Sequence, residues 1–473
     1  MFRQRTCTRR SLLLNKDLQG DKVDSSWLAQ RIADPSARGI AAALTDLIRQ
    51  GALTPQTRLP TVRGLARELG VSSGTVAEAW SELRRHGMIR TERRRGTVVL
   101  GPPDVPRPIR YERIGHWGDR LAIDLTIASP DAALLPPLES ALTAAARADG
   151  LNDYARETIT PRLRAAVEPD WPFHAGGWLA VGGGYEGVQL LCQTTALPGD
   201  RIAIEEPTGA RLLDILETIG VEIVPVACDE RGPVPGALAK ALRARPVAFV
   251  YQPRGQSPCG HAVTAERSAE LAALLEPTGT LVVEDDGIGE LSVSPMVSMG
   301  SYFPDRTVLV RSYSKSHGPD LRIAVVGGAA DAVERVRVLR SFGTGWTSRI
   351  LQDTLAHLLG DAAVRERVRH ARDAYARRRA GLAAELAARG VRTGGGDGLV
   401  LWVPVRDEPA ALVTLAAHGI SVAPGSRYVV EPAAAHHLRL ATARLTDDPA
   451  ELSALADVIA LAALGGQRLN AAT

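Results

Sequence analysis

Lysine is rare in this chain, and one lysine lies among residues that could do chemistry. Only four of the 56 basic residues are lysines, at positions 16, 22, 240 and 315. An arginine guanidinium stays protonated, whereas a desolvated lysine amine can lose its proton and form a Schiff base with an aldehyde. Lys315, in the segment RSYSKSHGPDLR, is therefore a candidate for attaching an aldehyde cofactor. The alternative is a solvated surface charge.

Two groups of residues near this lysine or before a predicted helix could bind a phosphate. Gly183 and Gly184 precede Tyr185 at the start of a predicted helix, where backbone amides and the helix dipole favour an anion. Ser312 and Arg322 lie on either side of the lysine, and hydroxyl and guanidinium groups bind phosphate oxygens. With the amine, they predict a site for a molecule that carries both a phosphate and an aldehyde.

A carboxylate at Asp285 adds a third chemical feature. The residue lies in the acidic triplet 284–286, directly after an apolar run at 281–283. A carboxylate at this place could keep a pyridine nitrogen protonated, so that the ring withdraws electrons. Acidic strand ends also occur as metal-binding or solvated sites, and the triplet alone does not distinguish these roles.

The elements that must position these residues alternate between helix-like and strand-like segments from about residue 122 to the end. This alternation predicts an α/β domain with a mostly parallel sheet. The buried strands are predicted at 201–204, 221–224, 247–250, 281–283, 308–310 and 323–326. Ligands of such sheets bind at the carboxyl ends of the strands, and the polar motifs fall at those ends.

Length and composition limit the class of protein. A chain of 473 residues predicts more than one domain, because single cores rarely grow beyond about 300 residues. No apolar run approaches the roughly 20 residues that span a bilayer, so we expect a cytoplasmic protein without membrane contact. The cysteines at positions 7, 192, 228 and 259 have neither disulfide nor metal-ligand spacing. We therefore expect a reducing compartment and no metal site.

Charge is distributed unevenly along the chain. Residues 1–110 carry 20 basic and 10 acidic residues, whereas the rest of the chain carries 36 and 43. A basic front end on an acidic body favours nucleic-acid binding at one end only. The alternative is a basic domain that is merely soluble.

The basic end has the pattern of three short helices. Apolar residues recur at helical spacing in the segments 40–48, 62–69 and 76–83. Ser72 and Ser73 are good N-cap residues for the third segment. The tight turn between the second and third segments matches a helix-turn-helix, whose second helix can enter the major groove of DNA.

Two short strands follow the helices, at 88–91 and 96–99. They enclose three consecutive basic residues, Arg93, Arg94 and Arg95. A hairpin after a helix-turn-helix forms a wing. The pattern therefore predicts a winged helix-turn-helix with a basic wing.

These patterns divide the chain into four segments. Residues 1–26 carry no predicted element and form an N-terminal extension that is compatible with disorder. Residues 27–100 form the winged helix-turn-helix, and residues 122–473 form the α/β domain. Residues 101–121 begin with GPPDVPRP and form a semi-rigid linker, because proline lacks an amide donor and fixes φ.

The stretch RLPTVRGLARELGVSSGTVAEAWSELRRHGMIRTERRRGTVV resembles the DNA-binding domain of GntR-family transcription regulators. The resemblance implies operator double-stranded DNA as a partner. The basic residues that it places near phosphates or in the wing are Arg58, Arg63, Arg67, Arg84, Arg93, Arg94 and Arg95. The residues at the helix start that it turns towards base edges are Ser72, Ser73, Gly74 and Thr75. Many relatives carry arginine where Ser73 lies, so the operator preference of those relatives does not carry over. A solvated charge run is the alternative for Arg84 and the wing.

The motifs of the larger domain, in this order, resemble those of fold-type I aminotransferases that depend on pyridoxal 5'-phosphate (PLP). With the winged helix in front, the chain resembles the MocR-type regulators of the GntR family. The resemblance implies an aminotransferase-like domain with a mostly parallel sheet and a small C-terminal α+β subdomain, and an internal aldimine at Lys315. The cofactor-binding residues that it implies are Gly183, Gly184, Tyr185, Ser257, Asp285, Ser312, Lys315 and Arg322. Arg439, in HLRLA, matches the arginine that binds the carboxylate of a substrate or effector.

Three positions depart from the family pattern. Ser257 stands where the family often has asparagine, Gly209 where an aromatic residue stacks on the cofactor ring, and Gly287 where a tyrosine is expected. The aromatic residues that could compensate are Tyr185, Trp346 and Tyr428. Weakened ring contacts with a retained lysine favour sensing over turnover, because transamination needs the whole site in productive geometry.

The leading hypothesis is a homodimeric DNA-binding transcription regulator whose larger domain senses PLP or a PLP-amine adduct. The effector would be a small-molecule amine or amino acid that shifts the population of two conformations. Two alternatives remain at this point. One is an active PLP-dependent aminotransferase with a fused DNA-binding domain, and the other is a regulator with a degenerate pocket that holds no PLP.

Overall fold

The computed structural model describes residues 23–85, 87–92, 96–100, 108–110, 123–155, 157–431 and 435–465. The chain folds into two compact units, residues 1–107 and residues 108–473. The arginines of the predicted wing tip, Arg93, Arg94 and Arg95, lie outside the described residues. Of the predicted linker, the short stretch 108–110 is described and belongs to the second unit.

The first unit consists of helices followed by a two-stranded hairpin. Its helices are α1 (Ser25–Ala29), α2 (Ala37–Arg49), α3 (Val62–Leu69) and α4 (Ser73–Arg85), and its strands are β1 (Ile89–Glu92) and β2 (Gly96–Val99). The two strands pair in antiparallel fashion, with Ile89 opposite Val99 and Glu92 opposite Gly96. The three predicted helices and the hairpin are thus confirmed. The first helix, α1, begins within the segment assigned to the N-terminal extension, and Val23 just before it is buried.

Caps and a left-handed glycine set the ends of the helices in this unit. The hydroxyls of Ser36 and Thr61 accept hydrogen bonds from backbone amides in the first turns of α2 and α3. Gly70 ends α3 with a φ of 67°, a conformation that glycine adopts without strain. The core of the unit is built around the apolar side chains of Ile40, Leu44, Leu65, Trp80 and Leu83.

The second unit alternates strands and helices around a large sheet. Its strands are β3 (Ile123–Asp124), β4 (Gly177–Val181), β5 (Arg201–Glu206), β6 (Glu222–Asp229), β7 (Gly232–Pro233), β8 (Ala248–Tyr251), β9 (Leu281–Asp286), β10 (Thr307–Ser312), β11 (Ala324–Gly328), β12 (Val400–Val405), β13 (Ile420–Ser421), β14 (Ala423–Pro424) and β15 (His436–Ala441). Its helices are α5 (Glu139–Ala145), α6 (Pro161–Val167), α7 (Gly184–Thr195), α8 (Ala210–Ile219), α9 (Pro235–Leu242), α10 (Ala265–Leu275), α11 (Ala330–Arg340), α12 (Arg349–Gly360), α13 (Ala362–Ala388), α14 (Glu408–Ala417) and α15 (Pro449–Leu464). Every strand predicted from the apolar runs is present.

The large sheet has the strand order β4-β11-β10-β9-β8-β5-β6-β7. Strands β10, β9, β8, β5 and β6 are parallel to one another, whereas β11 runs antiparallel to both of its neighbours. Apolar residues are buried on both faces: Ile204, Val250 and Val283 pack in one cluster, and Ala203 and Phe249 pack in another. A sheet covered on both faces explains why these strands are continuous apolar runs in the sequence.

A smaller three-stranded sheet lies near the end of the chain, with the order β12-β15-β14. Its strands are antiparallel, and they share a core with α13, α14 and α15. The combination of a mostly parallel sheet and a small α+β subdomain is the predicted fold of the larger domain. Among the described helices, none has both the length and the apolar character that a membrane-spanning segment needs.

Candidate functional site

The sheet brings its polar strand ends together. In the parallel pair of β9 and β10, Asp285 lies opposite Val310, so Ser312 extends just beyond it at the same edge. Across the sheet, Val181 at the end of β4 and Ser312 at the end of β10 both pair with Ala324 of β11. The glycine loop after β4 is therefore adjacent to the loop after β10, although more than a hundred residues separate them in the chain.

These two loops form an anion-binding cradle at the start of α7. Gly183 has a φ of 113°, and a β carbon there would lie 3.3 Å from Nη2 of Arg322. A β carbon at Gly184 would lie 3.2 Å from Cβ of Ser312. The buried hydroxyl of Ser314 has no hydrogen-bond partner among the described residues. A buried donor without a partner, a guanidinium and a helix N-terminus together suit the oxygens of a phosphate.

Lys315 lies beside this cradle as a desolvated amine. Burial and the nearby Arg439 guanidinium lower the pKa of Lys315 from its ordinary value, although the Asp285 charge opposes this. Among the described residues, the amine has no hydrogen-bond partner. A lowered pKa favours the neutral amine, which is the form that attacks an aldehyde.

Asp285 is buried and held by a residue that the sequence did not single out. Gln252 donates from Nε2 to a carboxylate oxygen of Asp285 at 2.8 Å, and its Oε1 accepts from the Ser257 amide at 2.7 Å. Burial raises the pKa of Asp285 to about 6, although the hydrogen bond from Gln252 and the charge of Lys315 act in the opposite direction. No motif pointed to Gln252, because its role depends on β8 lying next to β9.

Tyr185 occupies the space beside Gly209, where the family carries an aromatic residue. A β carbon at Gly209 would lie 2.7 Å from the Tyr185 hydroxyl oxygen. The Arg211 guanidinium carbon lies 4.9 Å from the centre of the same ring. The aromatic ring thus comes from the start of α7, whereas the family takes it from the segment before α8. Tyr185 and Gly209 are complementary, because any side chain at position 209 would compete for the space of the tyrosine hydroxyl.

Of the other two aromatic residues proposed to compensate, one lies at the site and one does not. Tyr428 lines the cavity, and the Arg439 guanidinium carbon lies 5.5 Å from its ring centre. Trp346 is not among the residues that line the cavity of this chain and packs edge-on against Tyr154. Gly287, which stands where the family has a tyrosine, also lines the cavity.

Arg439 projects from β15 towards the large sheet. Its Nε donates to the Ser257 hydroxyl at 3.3 Å, and its Nη1 donates to the Thr126 carbonyl at 3.0 Å. The side chain is buried, at 8% exposure. Arg439 therefore presents a positive charge to the site, and Ser257 serves as one of its anchors.

A cavity of about 260 Å³ joins these groups into one site. The predicted residues that line it are Gly184, Tyr185, Ser257, Asp285, Ser312, Lys315, Arg322 and Arg439. Gly183 lies directly behind Arg322. The lining residues that sequence reasoning missed include Arg110, Arg211, Gln252, Ser314 and Arg427. The volume of the cavity is slightly below the usual range for small-molecule sites, and its polar groups converge as such sites require.

Arg110, from the predicted linker, closes one side of this cavity. Its guanidinium pairs with Asp214 at 3.1 Å and with Glu217 at 2.5 Å, both on α8. Its carbonyl accepts a hydrogen bond from Arg427 at 2.9 Å. The segment that follows the proline-rich stretch is thus fixed to the wall of the candidate site, which no local pattern in the sequence indicated.

In the first unit, the described arginines that were predicted to contact DNA lie at the surface. Arg58, Arg63 and Arg67 are exposed, and no hydrogen bond or ion pair of their side chains exists with the rest of the described chain. Arg84 is exposed and donates to the Ser81 hydroxyl at 2.9 Å.

The start of α4 is built as predicted, with one difference. Ser72 is the N-cap: its hydroxyl accepts from the Thr75 amide at 3.1 Å and lies 3.0 Å from the Thr75 hydroxyl. Ser73 and Gly74 are exposed at the same helix end, whereas Thr75 is half-buried and engaged by the cap. Ser72 is exposed as well, but its hydroxyl is engaged in the cap, so among the described residues the Ser73 hydroxyl is the one at this helix end without a hydrogen bond.

Comparison with known families gives a match for each unit. Residues 36–99 match the bacterial regulatory proteins of the gntR family, and residues 124–459 match aminotransferase class I and II. Among solved structures, an archaeal alanine:glyoxylate aminotransferase superposes with a TM-score of 0.66 at 18% identity, over 72% of this chain and 90% of that one. At this identity the likeness concerns the fold alone, and it confirms the predicted fold class.

Two transcription regulators are similar over most of this chain. The chain is 31% identical over 435 residues to the vitamin B6 salvage pathway transcriptional repressor PtsJ of Salmonella typhimurium, covering 88% of this chain and 96% of that protein. It is 30% identical over 345 residues to the HTH-type pyridoxine biosynthesis transcriptional regulator PdxR of Corynebacterium glutamicum, covering 70% and 75%.

Proposed function

We infer the function from family membership: this chain belongs to the MocR-type transcription regulators of the GntR family, in which a DNA-binding domain precedes an aminotransferase class I and II domain. It is a DNA-binding regulator. We propose that the larger domain binds PLP covalently at Lys315 and that this binding changes the affinity for operator DNA. The observation that carries the proposal is the desolvated amine of Lys315 within one cavity that also holds Asp285 and a phosphate cradle.

The residues of the cavity fit PLP group by group. Gly183, Gly184, Ser312 and Arg322, with the unpartnered Ser314 hydroxyl, would hold the phosphate. Asp285 would pair with the ring nitrogen, and Tyr185 would lie against the ring. When bound, PLP supplies an aldehyde that condenses reversibly with amines.

The names of the two similar regulators suggest which effector this chain binds. PtsJ and PdxR are named for vitamin B6 salvage and pyridoxine biosynthesis. We therefore propose PLP itself as the primary effector, with a PLP-amine adduct as the second candidate. The buried Arg439 favours the second candidate, because a guanidinium at the cavity mouth suits an amino-acid carboxylate. Its existing bonds to Ser257 and Thr126 would have to be exchanged for that contact.

We propose a homodimer as the form that binds DNA. A winged helix-turn-helix commonly reads one half-site, so two copies are needed for a two-fold operator. PLP would shift the populations of two conformations of the dimer. The shift in their equilibrium is limited by the difference in PLP affinity between the two conformations.

The test is an absorption titration of the full-length protein with PLP. Wild-type protein is expected to develop a visible absorption band. Borohydride should abolish this band, because it reduces the bond between PLP and Lys315 to a stable covalent adduct. Lys315→Ala should develop no such band. Lys240→Ala is the matched control, because Lys240 lies on α9 outside the cavity and should leave the band unchanged.

Operator affinity measured in parallel separates the alternatives. A regulator that reads PLP changes its operator affinity when PLP is added, and Lys315→Ala removes the change but not DNA binding itself. Steady amino transfer to a 2-oxo acid would support the aminotransferase instead. Absence of the band in the wild-type protein would contradict the proposal and leave the PLP-free regulator.

A further inference from the structure

A second cluster of polar side chains is buried away from the lysine. Glu205 lies on β5, Cys228 lies on the neighbouring strand β6, and His261 follows β8. The strands β5 and β6 pair in parallel with Glu205 opposite Val226, so the carboxylate and the thiol lie at the same end of the sheet. One donor atom from each of the three residues lies within 4.8 Å of the other two.

Three buried polar atoms of this cluster have no hydrogen-bond partner among the described residues. Glu205 is fully buried and His261 is 3% exposed. The Oε1 atom of Glu205 accepts from the Gln252 amide at 3.0 Å, but Oε2 has no hydrogen-bond partner among the described residues. Both ring nitrogens of His261 are likewise without a partner, although Nε2 lies 3.4 Å from Oε2 of Glu205. Leaving a buried polar atom without a partner is unfavourable, so such clusters call for an occupant.

The chemistry of the three donors selects that occupant. A thiolate, an imidazole and a carboxylate are the ligands that Zn²⁺ takes in proteins, and three protein ligands leave a fourth position for water. Bond lengths of about 2.0–2.3 Å place the donors of a tetrahedral site about 3.3–3.8 Å apart. Nε2 of His261 and Oε2 of Glu205, 3.4 Å apart, already have this spacing, whereas a separation at the 4.8 Å limit would have to shorten by roughly 1.0–1.5 Å. Hard cations such as Mg²⁺ and Ca²⁺ are disfavoured, because they prefer oxygen ligands.

We propose that Glu205, Cys228 and His261 form a binding site for a single divalent cation of the zinc class. Cation binding replaces the thiol proton of Cys228, which passes to solvent, and releases the weak contact of this thiol with the Val226 carbonyl at 3.5 Å. Spacing along the chain could not reveal the site, since the three residues come from three separate segments. The proposal of this cation site does not rest on the proposed function, because the site contains neither Lys315 nor the phosphate cradle.

The site touches the wall of the PLP cavity through one residue. Gln252 donates its backbone amide to Glu205 and its side-chain amide to Asp285. A cation that draws Glu205 towards Cys228 therefore acts on the residue that holds Asp285. Occupancy is expected to stabilise the fold of the second unit by mass action.

The experiment uses metal-free full-length protein in a Cys7→Ser background, so that the thiol outside the described residues does not contribute. Titration with Co²⁺ alone is expected to saturate at one equivalent and to produce a near-ultraviolet thiolate-to-cobalt band together with the visible bands of tetrahedral cobalt. Added Zn²⁺ should displace the cobalt and remove both signals.

Variants assign the ligands. Cys228→Ser and His261→Gln are each expected to weaken binding by at least about tenfold. Cys192→Ser is the matched control, because Cys192 is a buried thiol in a different, apolar cluster, and it should leave the band unchanged. His261→Cys keeps a zinc ligand at this position, so binding should survive in that variant and separate loss of a ligand from loss of folding.

Two results of the cobalt titrations would overturn the proposal. Failure of the Cys7→Ser protein to bind one equivalent of Co²⁺, or a thiolate band that persists in Cys228→Ser, would show that the cluster is not a metal site. Neither outcome affects PLP binding at Lys315, which is read at different wavelengths and without metal.

Discussion

At the scale of single residues, the most informative feature is the exchange between Tyr185 and Gly209. The ring of Tyr185 reaches the space next to Gly209, and its hydroxyl would lie 2.7 Å from a β carbon at that position. The glycine is therefore not simply the absence of an aromatic side chain. The absence of a side chain at position 209 leaves room for the aromatic ring of Tyr185, which comes from α7.

The exchange predicts a coupling between the two positions. Gly209→Ala should weaken PLP binding by about three- to tenfold, because the tyrosine ring must move and gives up part of its stacking on the cofactor, which is worth about 0.5–1.5 kcal/mol. Adding Tyr185→Phe removes the clashing oxygen and should restore most of the affinity. The measurement is the PLP titration of the single and double variants. Gly279→Ala, where a β carbon meets nothing within 4 Å, is the control. Additive effects would contradict the coupling.

Asp285 predicts a pH dependence of PLP binding. Burial raises the pKa of this carboxyl to about 6, so the ligand-free protein carries a neutral acid below this pH and a carboxylate above it. Only the carboxylate can hold a protonated ring nitrogen. Affinity for PLP should therefore rise as the pH increases from 5 to 7 and change less above 7.

The control for this prediction is Asp285→Asn, which cannot ionise. It should bind PLP more weakly at pH 7 and show a flatter profile between pH 5 and 7. A wild-type profile that is flat in this range, or unchanged by the substitution, would exclude a role for Asp285 ionisation.

At the scale of elements, the ends of β9 and β10 are fixed by a buried ion-pair network. Asp286 is fully buried and accepts two hydrogen bonds from Arg254, at 2.9 and 2.8 Å, and one from Arg311 at 2.9 Å. Although burial opposes it, these two guanidinium groups hold the pKa of Asp286 below its ordinary value. The network holds the strand end that presents Asp285 to the cavity.

The network predicts a large effect of Asp286→Ala. Removing the carboxylate leaves two buried arginines without their partner, so the free energy of unfolding of the second unit should fall by about 3–5 kcal/mol. Glu222→Ala, which breaks the exposed pair with Arg201 on β5, should cost less than about 1 kcal/mol. Urea denaturation of the full-length variants measures both. Equal losses would contradict the assigned role of the network.

At the scale of the whole molecule, the basic surface residues and the cavity lie in different units. The first unit carries exposed, basic residues, and the second carries the cavity and most of the acidic residues. Any influence of PLP on DNA binding must be reciprocal, because a ligand that changes operator affinity is itself bound more or less tightly in the presence of the operator.

The division predicts that DNA affinity depends on salt through the first unit alone. Arg63→Ala and Arg67→Ala should each weaken operator binding and reduce the slope of log affinity against log salt by about 0.9 for each phosphate that the arginine neutralises. Fluorescence anisotropy with labelled operator at several KCl concentrations measures the slope. Arg201→Ala, in the second unit, should change neither quantity. An unchanged slope in both first-unit variants would remove these arginines from the DNA interface.

Much of this molecule could be predicted from local patterns. The three predicted helices and the hairpin of the first unit follow from apolar spacing and from the cap Ser72, and the strands of the large sheet follow from short apolar runs. Lys315 was identified because lysine is rare in this chain, and Asp285 because it follows an apolar strand run. Both fall at strand ends, which meet at one edge of a parallel sheet. These features depend on neighbours in the chain, which the sequence displays directly.

The rest was decided by contacts between distant segments. Gln252 reaches Asp285 because β8 and β9 are adjacent, Arg110 reaches α8 from the predicted linker, and Tyr185 replaces an aromatic residue that the sequence showed only as missing. Glu205 and His261 meet a thiol on β6 by the same means. Such pairings arise from strand order and side-chain direction, which are properties of the packed sheet. The sequence by itself therefore determined the elements and the reactive residues, and the tertiary structure alone decided which residues surround them.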